Sequence, residues 1–259
     1  MKKFSYLLVV ILIALLFSLS ACGGDDDNDG DLTEIPEITP DNFDWDVYIV
    51  DVASSKPEVN YYVSVDWLGN PAALIAGDQI SIKFGDQEAI ILQNMGFGGY
   101  WFYAGMAQLN PGTSYNIKLF KNDDQQASVN IKTPYRAYAS FPSFYNPSTS
   151  AEITWSLEHD NQFQVAGVSS YDADYEESDD DLVWLDPSER SHTIPANAVQ
   201  NYGEDTEYEM LVLQYSFAQN NRSAFMIAQG QGRTYPDDPV KTADFEQTIN
   251  QLRKLRRSL

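Results

Sequence analysis

The stretch Leu109-Asn110-Pro111-Gly112-Thr113-Ser114-Tyr115-Asn116-Ile117-Lys118-Leu119 decides how this chain is read. Pro111 presets its own φ and Gly112 accepts a positive one, so the pair specifies a tight turn. Beyond the turn, Tyr115, Ile117 and Leu119 alternate with Ser114, Asn116 and Lys118, the period of a half-buried strand. Similar short runs surround it: Trp45–Val52, Val59–Asp66, Gln79–Phe84, Glu88–Gln93 and Tyr100–Met106 before it, Gln126–Lys132 after it. Aromatic residues make up 13% of the chain, led by 16 Tyr and 13 Phe, and with plentiful Val, Ile and Thr they favour strands. Seven runs separated by turn residues predict a β-sandwich over residues 43–134.

The Leu109–Leu119 stretch resembles the E–F corner of fibronectin type III domains, where a Leu-x-Pro-Gly-Thr-x-Tyr turn precedes an alternating strand. The resemblance implies that Leu109 and Tyr115 carry the corner, the Tyr hydroxyl bonding back to backbone upstream. A second unit is expected over residues 135–237. There Glu152-Ile153-Thr154-Trp155 resembles the B strand of the same sandwiches, with Trp155 toward the core. Phe163–Ser169, Leu182–Leu185, Ser191–Ile194, Glu207–Phe217 and Ser223–Ala228 continue the pattern. The piece from His192 to Val199, with Ile194-Pro195-Ala196 at its centre, resembles bacterial immunoglobulin-like modules. Tyr202-Gly203-Glu204-Asp205-Thr206 stands in place of the Pro-Gly-Thr corner. The expected fold class is therefore all-β: two tandem immunoglobulin-like, fibronectin III-like β-sandwiches with a short C-terminal helix. One larger merged sandwich is the alternative. The helix is expected within residues 238–259, where Phe245, Ile249, Leu252 and Leu255 recur at helical spacing. Asp244 and Glu246 near its start and Arg253, Lys254, Arg256 and Arg257 near its end suit the helix dipole.

Residues 1–21 read as a secretory signal: Lys2 and Lys3, then an apolar run from Leu7 to Phe17, too short to span a bilayer. Leu19-Ser20-Ala21-Cys22 resembles the lipobox of bacterial lipoproteins. The resemblance implies cleavage before Cys22, a diacylglyceryl thioether on Cys22 and a fatty-acylated (palmitate-type) amino terminus. Cys22 is the only cysteine, so it forms no disulfide within the chain. Gly23 in place of Asp points, by the same resemblance, to the outer membrane, so the expected location is the cell envelope, lipid-anchored. Residues 22–42, rich in Gly, Asp and Pro, are expected to form an acidic, disordered tether.

The net charge is −22. Such a surface disfavours nucleic acid, whose phosphates require basic partners. Residues 241–259 run against the trend, with five basic and two acidic side chains. That basic end would contact anionic lipid or a partner, or simply complement the acidic body.

Among candidate sites, Asp25, Asp27, Asp29 and Gly30 match the start of a calcium loop, but Pro36 falls where a bidentate Glu is needed. A second acidic cluster runs from Tyr171 to Asp181. Its carboxylates repel one another, and Asp172, Asp174, Glu176 and Asp179 would relieve this by taking calcium; a solvated loop is the simpler reading. No other cofactor is expected. In the aromatic run from Tyr100 to Tyr103, alternation sends Tyr100 and Phe102 one way and Trp101 and Tyr103 the other. One pair must be core; the other, Trp101 and Tyr103, is the candidate ligand surface. His159 and His192 are far apart and read as polar surface residues, and none of the G-x-S-x-G, H-E-x-x-H or phosphate-loop patterns occurs. The expectation is a non-enzymatic envelope module that binds a protein or a glycan. The alternatives are an accessory domain or weak hydrolase using acidic loop residues, and a purely structural envelope component.

Overall fold

Alternating sequence becomes strand throughout the computed structural model, which describes residues 36, 38–52, 60–70, 73–74, 77–94, 101–173 and 177–235. The first seven strands are β1 (Trp45–Val52), β2 (Asn60–Trp67), β3 (Ile80–Phe84), β4 (Ile90–Asn94), β5 (Trp101–Gln108), β6 (Ser114–Lys121) and β7 (Asp124–Lys132). The second seven are β8 (Tyr138–Ser140), β9 (Ala151–Ser156), β10 (Phe163–Tyr171), β11 (Ser178–Leu185), β12 (Ser191–Ile194), β13 (Glu207–Asn220) and β14 (Ser223–Tyr235).

Both sets follow one topology. In the first, β1-β2-β5 packs across one core against β4-β3-β6-β7, to which it is joined by the short β4–β5 pairing; in the second, β8-β9-β12 packs against β11-β10-β13-β14. Three strands against four, with the fifth crossing back to the first sheet, is an immunoglobulin-like sandwich of the kind fibronectin type III domains share. The chain is thus all-β, with two such sandwiches in tandem. The helix expected within 238–259 lies outside the described residues.

The two sandwiches are joined through a shared sheet. β13 and β14 have 14 and 13 residues, about twice the usual strand, so their hairpin runs past its own sandwich. There β14 pairs in parallel with β1, Trp45 opposite Ser223 through Val52 opposite Gly230. The result is a continuous run β11-β10-β13-β14-β1-β2-β5, the shared sheet, which continues through the short β4–β5 pairing into β4-β3-β6-β7, eleven strands in all. Phe225 and Ile227 of β14 enter the first core beside Val47 and Ile49, while Tyr235 of the same strand enters the second beside Met210 and Val212. These β14 residues share one parity, so both smaller sheets lie on the same face of the shared sheet.

A polar row crosses that inner face between the two cores. The register places Gln164, Gln214, Gln229, Asp51 and Tyr61 side by side on five successive strands. All five are buried. Asn161 Nδ2 donates to Gln214 Oε1 at 3.0 Å, Trp155 Nε1 to Gln164 Oε1 at 3.2 Å, and Gln229 Nε2 to Asp51 Oδ2 at 3.2 Å. The connection between the sandwiches is tied to the row, because Tyr135 N–H donates to Asn161 Oδ1 at 2.6 Å. The outer face carries no such row: Val165, Leu213, Tyr215, Met226 and Tyr48 are all buried there.

The corner expected at Leu109–Tyr115 is present. Asn110 N–H donates to the Tyr115 hydroxyl at 2.9 Å, and Leu109 is buried in the first core. Gly112 has φ +67°, and a Cβ there would sit 2.4 Å from the Tyr135 ring, so glycine is required twice over. In the second sandwich Thr206 takes over: its hydroxyl accepts the Tyr202 N–H at 2.8 Å and donates to the Gly203 carbonyl at 2.9 Å.

Two elements depart from the sequence expectation. β8 has three residues, too few for periodicity to show. β11 begins at Ser178, so Asp179, Asp180 and Asp181 belong to a strand rather than to the acidic loop. β11 is the edge of the shared sheet, where charged side chains reach water and discourage pairing with another chain.

Candidate interaction surface

The small sheet of the second sandwich exposes a polar face that includes Tyr138, and the loop after β8 exposes a second aromatic ring, Phe144. Ile153 and Trp155 of β9 point into the core, so Glu152, Thr154 and Ser156 point out. On the neighbouring edge strand Tyr138 pairs with Ser156 and Ser140 with Thr154. Tyr138 is 65% exposed and Phe144, in the loop that follows β8, is 75% exposed. That loop is anchored on both sides of Phe144. Tyr235 Oη donates to the Pro142 carbonyl at 2.5 Å, and Arg233 Nη2 to the Ser143 carbonyl at 3.4 Å. Tyr145 turns inward, its ring edge-on to Tyr208 with centroids 5.3 Å apart. A bulky apolar ring is therefore held toward solvent by fixed neighbours, so burying it against a partner costs little further ordering.

The residues singled out in the sequence fall elsewhere. Phe102 is core, and the backbones of Trp101 and Tyr103 pair in register with Asp66 and Ser64. Asp172 shapes the β10–β11 turn, its Oδ1 accepting the Glu177 N–H at 3.0 Å. Asp179 Oδ2 accepts the Gln200 N–H at 2.8 Å. Asp174, Glu176, Cys22 and Asp25 to Gly30 lie outside the described residues. Among the described residues no three His, Cys, Asp or Glu side chains come together in a metal-binding group. At the end of the expected tether, Arg222 donates to the Pro40 and Asp41 carbonyls at 2.9 Å each and pairs with Asp44.

The histidines are not equivalent, which corrects the surface expectation for one of them. His159 is exposed, its ring tilted against that of Tyr135 with centroids 4.7 Å apart. His192 is partly buried with its Nε2 lacking a hydrogen bond, and desolvation holds its pKa below the usual value. In the polar row, burial pushes the Asp51 carboxyl up, against the opposing pull of Arg136 and the Gln229 hydrogen bond. Burial also raises the Tyr61 phenol, and the nearby Asp51 charge adds to this. Sequence reasoning did not single out this row, although its signal is visible: Gln214 and Asp51 each interrupt an apolar run, Leu211-Val212-Leu213 and Tyr48-Ile49-Val50.

No family model matches the chain, and no curated protein matches it. Among solved structures, the fibronectin domains FN1–FN3 of chicken CNTN1 align at 15% identity with a TM-score of 0.19. The alignment covers 67% of this chain and 64% of that one, so less than two thirds of that structure is spanned. The fold described above is read from strand order and register.

Proposed function

We propose that the chain is a lipid-anchored envelope protein whose paired sandwiches present a non-enzymatic binding surface for a protein or glycan partner. The anchor is the part read from the leader and from Leu19-Ser20-Ala21-Cys22. The outer membrane is the expected location, and residues 22–42 are the expected tether. The observation that carries the binding role is Tyr138, exposed in register with Ser156 on the outward face of the small sheet, with Phe144 exposed on the anchored loop that follows β8. An aromatic ring beside hydroxyls suits either a sugar face or an apolar anchor of another protein.

The test pairs the anchor with the surface. Cys22→Ser is expected to release the protein from membranes, and continued membrane partitioning of that variant rejects the anchor. Binding to purified envelope glycans and to cross-linked envelope proteins is then measured for Tyr138→Ala/Phe144→Ala. The expected result is a loss of about tenfold or more with the melting temperature unchanged, the signature of an aromatic hot spot. Undiminished binding by this double variant rejects the surface.

A further inference from the structure

Lys83 of β3 and Lys118 of β6 stand directly opposite each other in the first sandwich. Their chain neighbours Ile82, Phe84, Ile117 and Leu119 are buried in the first core, so the two lysines lie on the outward face of β4-β3-β6-β7. Side chains so paired start about 5 Å apart, and like charges in that position destabilise a sheet. Neither ammonium has an ion pair with a carboxylate among the described residues. The outward positions around the pair, Ser81, Asn116, Phe120 and Ser128, add no acid. In a chain of net charge −22, with 38 acidic against 16 basic side chains, such an uncompensated pair of cations stands apart from the rest of the surface.

The face continues from the pair as a polar strip. Asn116 is in register with Asn130, and its Nδ2 donates to Asn130 Oδ1 at 2.8 Å and to Ser128 Oγ at 3.2 Å. Two residues further along β6, Ser114 is in register with Lys132, which is exposed and holds its ammonium 4.6 Å from the centre of the Tyr135 ring. The row of Lys132 lies about 13 Å along the strands from that of Lys118. On the other side of the pair Phe120 is half-buried, and Ile91, 59% exposed, is in register with Ser81.

We propose that this face binds a carboxylate-bearing polysaccharide, at a site separate from the one carrying Tyr138 and Phe144. The lysine pair brackets one carboxylate, Lys132 meets another further along the polymer, and the Asn and Ser side chains between them face sugar hydroxyls. Phe120 and Ile91 offer apolar surface to the C–H face of a ring beside the pair. A protein partner suits the face less, because lysine is depleted from the centres of protein interfaces and here it occupies the centre. A densely charged polymer also suits it less: three lysines meet few of its charges, and the acidic body repels the rest.

Binding of the full chain carrying Cys22→Ser to polygalacturonate, dextran, dextran sulfate and polyglutamate, measured by calorimetry at low salt, tests this. Polygalacturonate is expected to bind and dextran is not. Lys83→Gln/Lys118→Gln is expected to weaken binding about tenfold, the loss of two exposed charge contacts. Its melting temperature should be unchanged or raised, because the like charges are gone. Lys83→Arg/Lys118→Arg keeps the charge and should bind as the parent does. Tyr138→Ala/Phe144→Ala should leave polygalacturonate affinity unchanged; a loss there assigns the polymer to the aromatic surface and overturns the inference. Full affinity in the Gln variant, or no binding of polygalacturonate by the parent, also overturns it. Tighter binding of polyglutamate assigns the face to an acidic protein, and tighter binding of dextran sulfate assigns it to a dense polyanion; either result overturns the inference. Sedimentation without polymer covers the remaining occupant: self-association abolished by Lys83→Gln/Lys118→Gln assigns the face to a second copy and overturns it as well.

Discussion

The two faces of the shared sheet are built on different principles although the same strands supply both. On the inner face, apolar side chains gather into two cores, and a row of Gln164, Gln214, Gln229, Asp51 and Tyr61 stands between them. On the outer face the same strands present one apolar field from Tyr48 to Val165. A polar row is costly to bury unless its hydrogen bonds are met. Where they are met it forbids alternatives, because a one-residue slip of β14 would drive Gln229 and Gln231 into the outer apolar field. The inner face thus specifies register and the division into two sandwiches, while the outer face contributes burial. Here Gln231 adds to the specification, its Oε1 accepting the Ala139 N–H at 2.7 Å.

This contrast can be broken at defined points. The largest effect is expected on the outer face: Tyr215→Ala removes a fully buried ring and should cost about 3–5 kcal/mol. Urea unfolding monitored by tryptophan emission measures it, and a loss below about 1 kcal/mol would show the field to be loosely packed. Next comes the inner row. Gln214→Ala leaves Asn161 Nδ2 and Gln164 Oε1 each short of a partner and should cost about 1–3 kcal/mol. The cost should appear as exchange of the Tyr135 amide, whose acceptor Asn161 is held by Gln214, before global unfolding.

A smaller effect is expected at Asp51. Its carboxyl is raised on folding, so its contribution is fully present below the unfolded carboxylate range, near pH 4, and is lost as pH rises through the raised folded value. Asp51→Asn removes that loss and can donate to Gln229 Oε1, which lacks a hydrogen bond. The variant should therefore equal or exceed the parent by about 1 kcal/mol at pH 7, with a flatter stability curve from pH 4 to 7. A variant less stable at pH 7 would show that the charge pair with Arg136 outweighs desolvation. The smallest effect is at the surface: Tyr138→Ala and Phe144→Ala should each change stability by less than about 0.5 kcal/mol.

Legibility followed the burial of faces. β6, β7 and β9 bury one face each, so their sequences alternate and their strands are visible in the sequence. β10 and β13 are buried on both faces, and a run such as Met210-Leu211-Val212-Leu213 reveals a strand without revealing which side chains share a layer. β8 was missed because three residues carry no period. Trp101 and Tyr103 attracted notice as aromatics in a dense run, whereas Phe144, a single ring between Ser143 and Tyr145, did not. Its exposure depends on anchors at Tyr235 and Arg233, about ninety positions away in the chain.

By itself the sequence determined the strand inventory, the Pro111-Gly112 corner with its Tyr115 hydroxyl, and an inward Trp155. These rest on local alternation, turn chemistry and side-chain type, which operate over a few residues. Tertiary structure alone decided that β14 pairs with β1, that two cores share one sheet, and that Asp51 sits beside Gln229. Such pairings join residues 178 positions apart. Hydrogen bonding between backbones is the same for every sequence, so only the packing of complete faces selects which strand becomes whose neighbour.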